Sequence, residues 1–261
     1  MSRSSQGSLA GRKILITRAE GEDRLAALLS GQGAEVIHIP LIRFEDPPSW
    51  EPLRTAAARL ESFDRALFTS ATAVERFFGR LPEFRSSGRL PDGIRVSAVG
   101  PRTAEALQRA GCGSVEHAAS YQAEGLLELL PASEVRGSEI LFPRALEARD
   151  LLMDELRRRG AQVHLVPVYR TVIAGEKREE LLRALRRRPA AVAFTSSSAV
   201  RHFVELVGAS QCAGLIRGVR VACLGEITAR AARDCGLAPD IVPSQSTLEN
   251  LAAAIVHFLR R

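Results

Sequence analysis

A chain of 261 residues, 46% of them hydrophobic, with a mean hydropathy of −0.01, can fill one large globular core or two ordinary ones. No run approaches the roughly 18 uninterrupted apolar residues of a membrane-spanning helix, and the polar start Met1–Ala10 lacks an apolar signal core; a disordered tail, no membrane and a cytoplasmic setting are expected. Thirty-six basic against 30 acidic side chains give +6, which suits an anionic partner, but the few aromatics are not interleaved with the arginines, so no nucleic acid is expected.

In chain order, Lys13–Thr17 reads as a short apolar strand, and Leu25, Leu28 and Leu29 form a helical stripe stopped by Gly31 and Gly33. Val36–Ile42 reads as a strand interrupted by Pro40, a residue suited to a sheet edge or a chain crossing. Arg65–Thr69 is the next strand, leading into a helix begun by Thr72 with Glu75 three residues on, a capping box. Ile94–Val99 is a strand and Arg102–Ala110 a helix ended by Gly111. The arginines at 157–159, 183 and 186–188 sit at the ends of predicted helices, where they complement the helix dipole. A helix over Leu248–Leu259 closes the chain. Alternating strands and helices predict parallel sheets covered by helices on both faces.

The chain also repeats itself. Phe68-Thr69-Ser70-Ala71-Thr72-Ala73-Val74 returns as Phe194-Thr195-Ser196-Ser197-Ser198-Ala199-Val200, and Phe77 as Phe203, all 126 residues on. Val99-Gly100-Pro101-Arg102-Thr103-Ala104 returns as Leu224-Gly225-Glu226-Ile227-Thr228-Ala229. Gly33-Ala34 matches Gly160-Ala161, Ile14-Leu15 matches Ile140-Leu141, Arg18 matches Arg144, and Pro40 matches Pro167. Five matches in one order make a duplication.

Ligands of open parallel sheets bind beyond the carboxyl ends of the strands, where the following helices begin. Each repeat places hydroxyl residues there twice, at 69–72 and 100–103 and again at 195–198 and 225–228. Unpaired helix-start amides, the dipole and Ser or Thr hydroxyls form anion sites, though the same residues serve as ordinary N-caps. If the repeats face each other, four such starts converge on one cleft suited to a polycarboxylate or polyphosphate. Cys112, Cys212, Cys223 and Cys235 have no CxxC spacing and the five histidines form no HExxH pair, so neither a metal nor a disulfide framework is expected. Walker A, GxSxG and dinucleotide-binding signatures are missing.

Ile16-Thr17-Arg18, the Asp64 to Ser70 segment ending in Phe-Thr-Ser, Val99-Gly100-Pro101-Arg102-Thr103-Ala104, Ala123-Glu124-Gly125-Leu126-Leu127 and Val166-Pro167-Val168-Tyr169-Arg170-Thr171, followed by the second Phe-Thr-Ser, resemble the uroporphyrinogen-III synthase family in order and in kind. The likeness runs from about Gly11 to Leu259. It implies two flavodoxin-like α/β domains joined by a two-stranded connector with the chain crossing twice. Residues 1–39 with 171–261 would form one domain and 42–167 the other, with connector strands near 38–43 and 165–171 and the crossings at Pro40 and Pro167.

The resemblance further implies a lyase without a cofactor that acts on hydroxymethylbilane, a linear tetrapyrrole with eight carboxylate arms. Loss of its hydroxyl as water, attack through the substituted carbon of ring D and passage through a spiro-pyrrolenine yield uroporphyrinogen III. Tyr169 matches the tyrosine proposed to assist departure of the hydroxyl; its counterpart in the first repeat is Ile42. Ser70, Thr103, Ser196, Ser197 and Thr228 would hold carboxylate arms, with Gly225 approaching through its backbone. Thr17, Arg18 and Arg144 end equivalent strands and would add contacts. Glu226 replaces the commoner proline of that loop and is expected to point away from an anion. A monomer is expected, with hydroxymethylbilane synthase as upstream donor. The rival reading is a non-catalytic two-lobed module that senses a small anion or a tetrapyrrole.

Overall fold

The computed structural model describes residues 7–18, 23–118, 123–147 and 151–260. It separates into two compact units, Met1–Arg43 with Val172–Arg261, and Phe44–Thr171. The elements begin with β1 (Lys13–Ile16), α1 (Arg24–Ser30), β2 (Glu35–His38), β3 (Ile42–Glu45) and α2 (Glu51–Ala58). Then follow β4 (Arg65–Phe68), α3 (Ala71–Arg80), β5 (Arg95–Ala98), α4 (Pro101–Arg109), β6 (Val115–His117), α5 (Ala123–Glu128) and α6 (Ala132–Val135). The chain continues through β7 (Glu139–Ala145), α7 (Leu151–Arg158), β8 (Gln162–Ile173), α8 (Arg178–Arg186) and β9 (Ala191–Phe194). It ends with α9 (Ser197–Val207), α10 (Ala209–Leu215), β10 (Arg220–Cys223), α11 (Glu226–Asp234) and α12 (Leu248–Leu259).

The first unit holds a parallel sheet in the order β10-β9-β1-β2, extended beyond β10 by a bridge from Ala222 to Ile241. Counted along the chain this is the 2-1-3-4-5 order of flavodoxin-type sheets. Side chains alternate across it. Leu15, Val192, Phe194, Val221 and Cys223 enter a core with α8, α9 and α11, while Ile14, Ile16, Ala191, Ala193 and Ala222 enter another with α1 and α12. Period-two alternation with both faces apolar is what a buried parallel sheet requires.

The second unit is built on the sheet β3-β8-β7-β4-β5-β6, in which β4 to β8 run parallel. Ala66, Phe68, Val96, Ala98 and Leu141 pack under α2, α3 and α4; Leu67, Ile140, Phe142 and Val163 pack under α5, α6 and α7. In both units the helix ends at matching glycines are formed alike. Gly111 after α4 and Gly236 after α11 have φ of 93° and 77°, which side chains other than glycine rarely adopt.

Three expectations change. Residues 7–10 are not a loose tail: Leu9 is fully buried in the first unit and its amide donates to the Gln32 carbonyl at 2.8 Å; residues 1–6 lie outside the described residues. Val36–Ile42 is not one strand, because Pro40 separates β2 from β3, which belong to different sheets. The α3 cap is Ser70, not Thr72. The Ser70 hydroxyl accepts from the Ala73 amide, so Thr72 already lies in the first turn. Pro167 lies inside β8, in the strand expected near 165–171, and the ladder is irregular there. Arg144 pairs with Pro167 but Ala145 with Tyr169, a bulge next to the residue that lacks an amide donor. The units part between residues 43 and 44 and between 171 and 172, a few residues past each of the two prolines.

Candidate functional site

In the first unit the strand order reverses between β1 and β9, whose following helices α1 and α9 cover opposite faces. Such a switch leaves a crevice at the carboxyl ends. A crevice of about 140 Å³ lies there, lined by Thr17, Arg18, Leu41, Ile42, Thr195, Ser196, Ser198, Ala199 and His202. After β9 the chain stays extended through Ser196, with φ −153° and ψ 156°, so its hydroxyl can turn back and accept from the Ala199 amide at 3.2 Å. The other amides of that first turn have no intrahelical acceptor and, with the helix dipole, favour an anion.

The remaining groups of this crevice are held firmly. The Thr17 hydroxyl donates to the Ala193 carbonyl at 3.4 Å, tying β1 to β9. Arg18 Nε lies 3.1 Å from Asp23 Oδ2, while Asp23 Oδ1 accepts from the Leu25 and Ala26 amides and so caps α1. His38 Nε2 is 3.0 Å from the Arg18 carbonyl oxygen. Burial holds the His202 imidazole below its usual range, against the pull of Glu205 and with the help of Arg201.

Beside the crevice, the Ser197 hydroxyl donates to the Ile227 carbonyl at 3.3 Å and so couples the starts of α9 and α11. Gly225 precedes α11 in extended conformation, and a β-carbon there would sit 2.1 Å from Ser246 Oγ. A larger residue would displace the Ser246 side chain, whose hydroxyl lies at the α11 start. Glu226 turns to Arg233 at 2.8 Å, and that guanidinium holds its carboxyl below the usual carboxylate range. Thr228 is buried in the first turn.

The second unit reverses between β4 and β7. Ser70 repeats the geometry of Ser196, with φ −157° and ψ 149°, and accepts from the Ala73 amide at 3.1 Å. Its hydroxyl also lies 3.4 Å from Tyr169 Oη. The bulge in β8 precedes Tyr169, whose ring packs edge-on to Phe44 at 5.2 Å between centroids and is 8% exposed. Arg144, 3% exposed, donates from Nε to the Ala145 carbonyl at 3.3 Å and lies over the Phe142 ring. Thr103 is buried in the first turn of α4, after an extended Gly100. Roomier hollows of about 310 and 420 Å³ open at the amino ends of β4, β5 and β6.

Of the residues singled out in the sequence, the fold thus gathers Thr17, Arg18 and Ser196 in one crevice, links Ser197 to the α11 start with Gly225 and Thr228, and sets Ser70 against Tyr169. Arg144 and Thr103 lie at matching strand and helix ends with their side chains packed. The sequence marks neither His202 nor Ser246 as a site residue. His202 stands beside the repeated Phe203, and Ser246 in the polar run Ser244–Thr247, so only proximity in space marks either one. Among the described residues no cluster of His, Cys, Asp or Glu suits a metal ion, and no helix is long and apolar enough to cross a membrane.

The family model for uroporphyrinogen-III synthase HemD matches residues 23–253. A uroporphyrinogen-III synthase of Synechococcus elongatus is 33% identical over 260 residues, covering 97% of each chain. Two solved structures share the fold. A uroporphyrinogen-III synthetase of Helicobacter pylori aligns with a TM-score of 0.65 at 16% identity over 95% of this chain and 99% of its own. A mutant uroporphyrinogen III synthase of Thermus thermophilus aligns at 0.61 and 21% identity, over 96% and 98%. With the family model spanning most of its length and a full-length relative at this identity, the chain belongs to the uroporphyrinogen-III synthase family.

Proposed function

We propose that this lyase closes hydroxymethylbilane to uroporphyrinogen III, with Tyr169 assisting the departure of the hydroxyl. The observation that carries the assignment is the asymmetry of two equivalent places. Ser70 faces the phenol of Tyr169, whereas its counterpart Ser196 shares a crevice with Ile42. The hydroxymethyl C–O bond breaks as the terminal pyrrole donates electrons, leaving an azafulvene cation. The departing oxygen takes a proton from the surrounding water and leaves as water, and one proton is released from the free α-carbon of ring D when the macrocycle closes. A neutral phenol donating a hydrogen bond stabilises the charge growing on that oxygen. Ring D then attacks through its substituted carbon, and the spiro-pyrrolenine opens and recloses with that ring inverted. The electron-rich pyrroles carry this chemistry themselves, so the protein's main task is to hold the chain in the productive fold.

The helix starts of each unit, capped by Ser70 and Ser196 or opened by Gly100 and Gly225, supply amides for the acetate and propionate arms. Thr103, Ser197 and Thr228 belong to these starts, and Thr17, Arg18 and Arg144 to the strand ends beside them. The shared strand arrangement supports an origin by duplication. β9, β10, β1 and β2 correspond to β4, β5, β7 and β8 in sequence and occupy the same places in their sheets. Strands β3 and β8, in which the units part, fit the two-stranded connector. A cytoplasmic setting suits four free thiols, two of which burial pushes up to about 11.

The test is an assay in which the purified protein meets freshly generated hydroxymethylbilane and the oxidised porphyrin isomers are separated. Isomer III predominates with the wild type, and Tyr169→Phe lowers kcat about tenfold, the loss of one transition-state hydrogen bond. Unchanged turnover would leave the phenol as packing against Phe44. Isomer I alone from the wild type would remove the synthase and favour an anion sensor.

A further inference from the structure

Position 202 is bonded differently in the two repeats. Its counterpart is Arg76, which precedes Phe77 as His202 precedes Phe203. Arg76 is engaged within its own unit, donating to the Phe44 carbonyl at 3.0 Å and to Asp46 at 3.1 Å. His202 is not so engaged. Its Nδ1 is buried and meets no hydrogen-bond partner among the described residues, while the side chain lines the crevice with Thr17, Arg18, Thr195 and Ser196. Buried polar atoms are almost always bonded, so an orphan beside a crevice marks a place that a ligand or an ordered water completes.

The character of the crevice narrows the ligand. What favours an anion in it is the first turn of α9 with the Thr195 and Ser198 hydroxyls beside it, while Arg18 is already paired with Asp23. At about 140 Å³ it takes a short arm, well below the roughly 300 Å³ at which pockets for whole drug-sized ligands begin. Burial lowers the pKa of the His202 ring, and an imidazole carries at least one N–H that can donate in either protonation state. We propose that one carboxylate arm of the substrate seats in this crevice and accepts a hydrogen bond from His202, which makes His202 a specificity-determining residue without an equivalent in the second unit. The proposal rests on the synthase reading and adds to it a named subsite.

Full-length His202→Phe, which keeps a planar ring and removes both nitrogens, is compared with His202→Asn, which retains a donor near Nδ1. Initial rates with hydroxymethylbilane and thermal unfolding are measured for each. KM rises about tenfold or more in His202→Phe, the effect of one hydrogen bond to a charged group, with kcat changed less and the melting temperature not lowered. His202→Asn recovers part of that affinity. A wild-type KM in His202→Phe overturns the proposal and leaves the orphan nitrogen to water. Should His202→Phe fail to fold, His202→Leu, which also removes both nitrogens, is measured in its place, and a wild-type KM in that variant overturns the proposal. Isomer I alone from the wild type is a different failure, which removes the synthase and this subsite together.

Discussion

Ser70 and Ser196 have two claims on one hydroxyl. Each accepts the first-turn amide of its helix, at 3.1 and 3.2 Å, and each stands where a carboxylate arm is proposed to bind. Chemistry separates the claims, because aspartate caps a helix as well as serine does but repels an anion. Ser196→Ala is expected to cost about 1 kcal/mol in urea denaturation, the usual loss of a cap. Ser196→Asp should keep wild-type stability while raising KM for hydroxymethylbilane. A wild-type KM in Ser196→Asp would make the serine a cap and nothing more. Hydroxyls beside a strand end are legible in a sequence as capping or binding groups. What they touch is not: Thr17 spends its hydroxyl on Ala193, 176 residues away, and Arg18 spends Nε on Asp23.

Among the elements, those whose signals are local could be read closely. Thr247 caps α12 through the Asn250 amide, and the helix runs over the expected Leu248–Leu259. The apolar runs at β4 and β9 are fully buried central strands, as their lack of alternation implies. Phe194 lies wholly inside one of them, edge-on to Phe203 at 5.1 Å. Phe194→Ala should therefore cost about 3–5 kcal/mol, the sum of lost transfer energy and an unfilled cavity. An equilibrium denaturation loss below about 1 kcal/mol would show that the core closes around the gap. Elements set by pairing were harder to read. Strand β8 runs through Pro167 with a bulge of its own against β7, and no local rule foretells where the pairing slips.

For the whole molecule, the two units differ in how the chain builds them. Phe44–Thr171 is continuous, whereas the first unit needs two segments, because β1 from one pairs with β9 from the other. Residues 44–171 expressed alone should give a cooperative thermal transition. Residues 1–43 and 172–261 should each lack one until mixed, since β1 and β9 must pair before either face of that sheet is covered. A cooperative transition in 172–261 alone would contradict this account; circular dichroism of the three fragments decides it. The repeat, the alternating elements, the helix starts and the likeness to the family were contained in the sequence, because each is carried by residues close together in the chain or by their order along it. The tertiary structure alone decided that Leu9 belongs to a core, that Tyr169 meets Ser70 and that His202 opens on a crevice. Those outcomes depend on which distant segments share a surface, and burial and hydrogen bonding are settled only when the chain has brought them together.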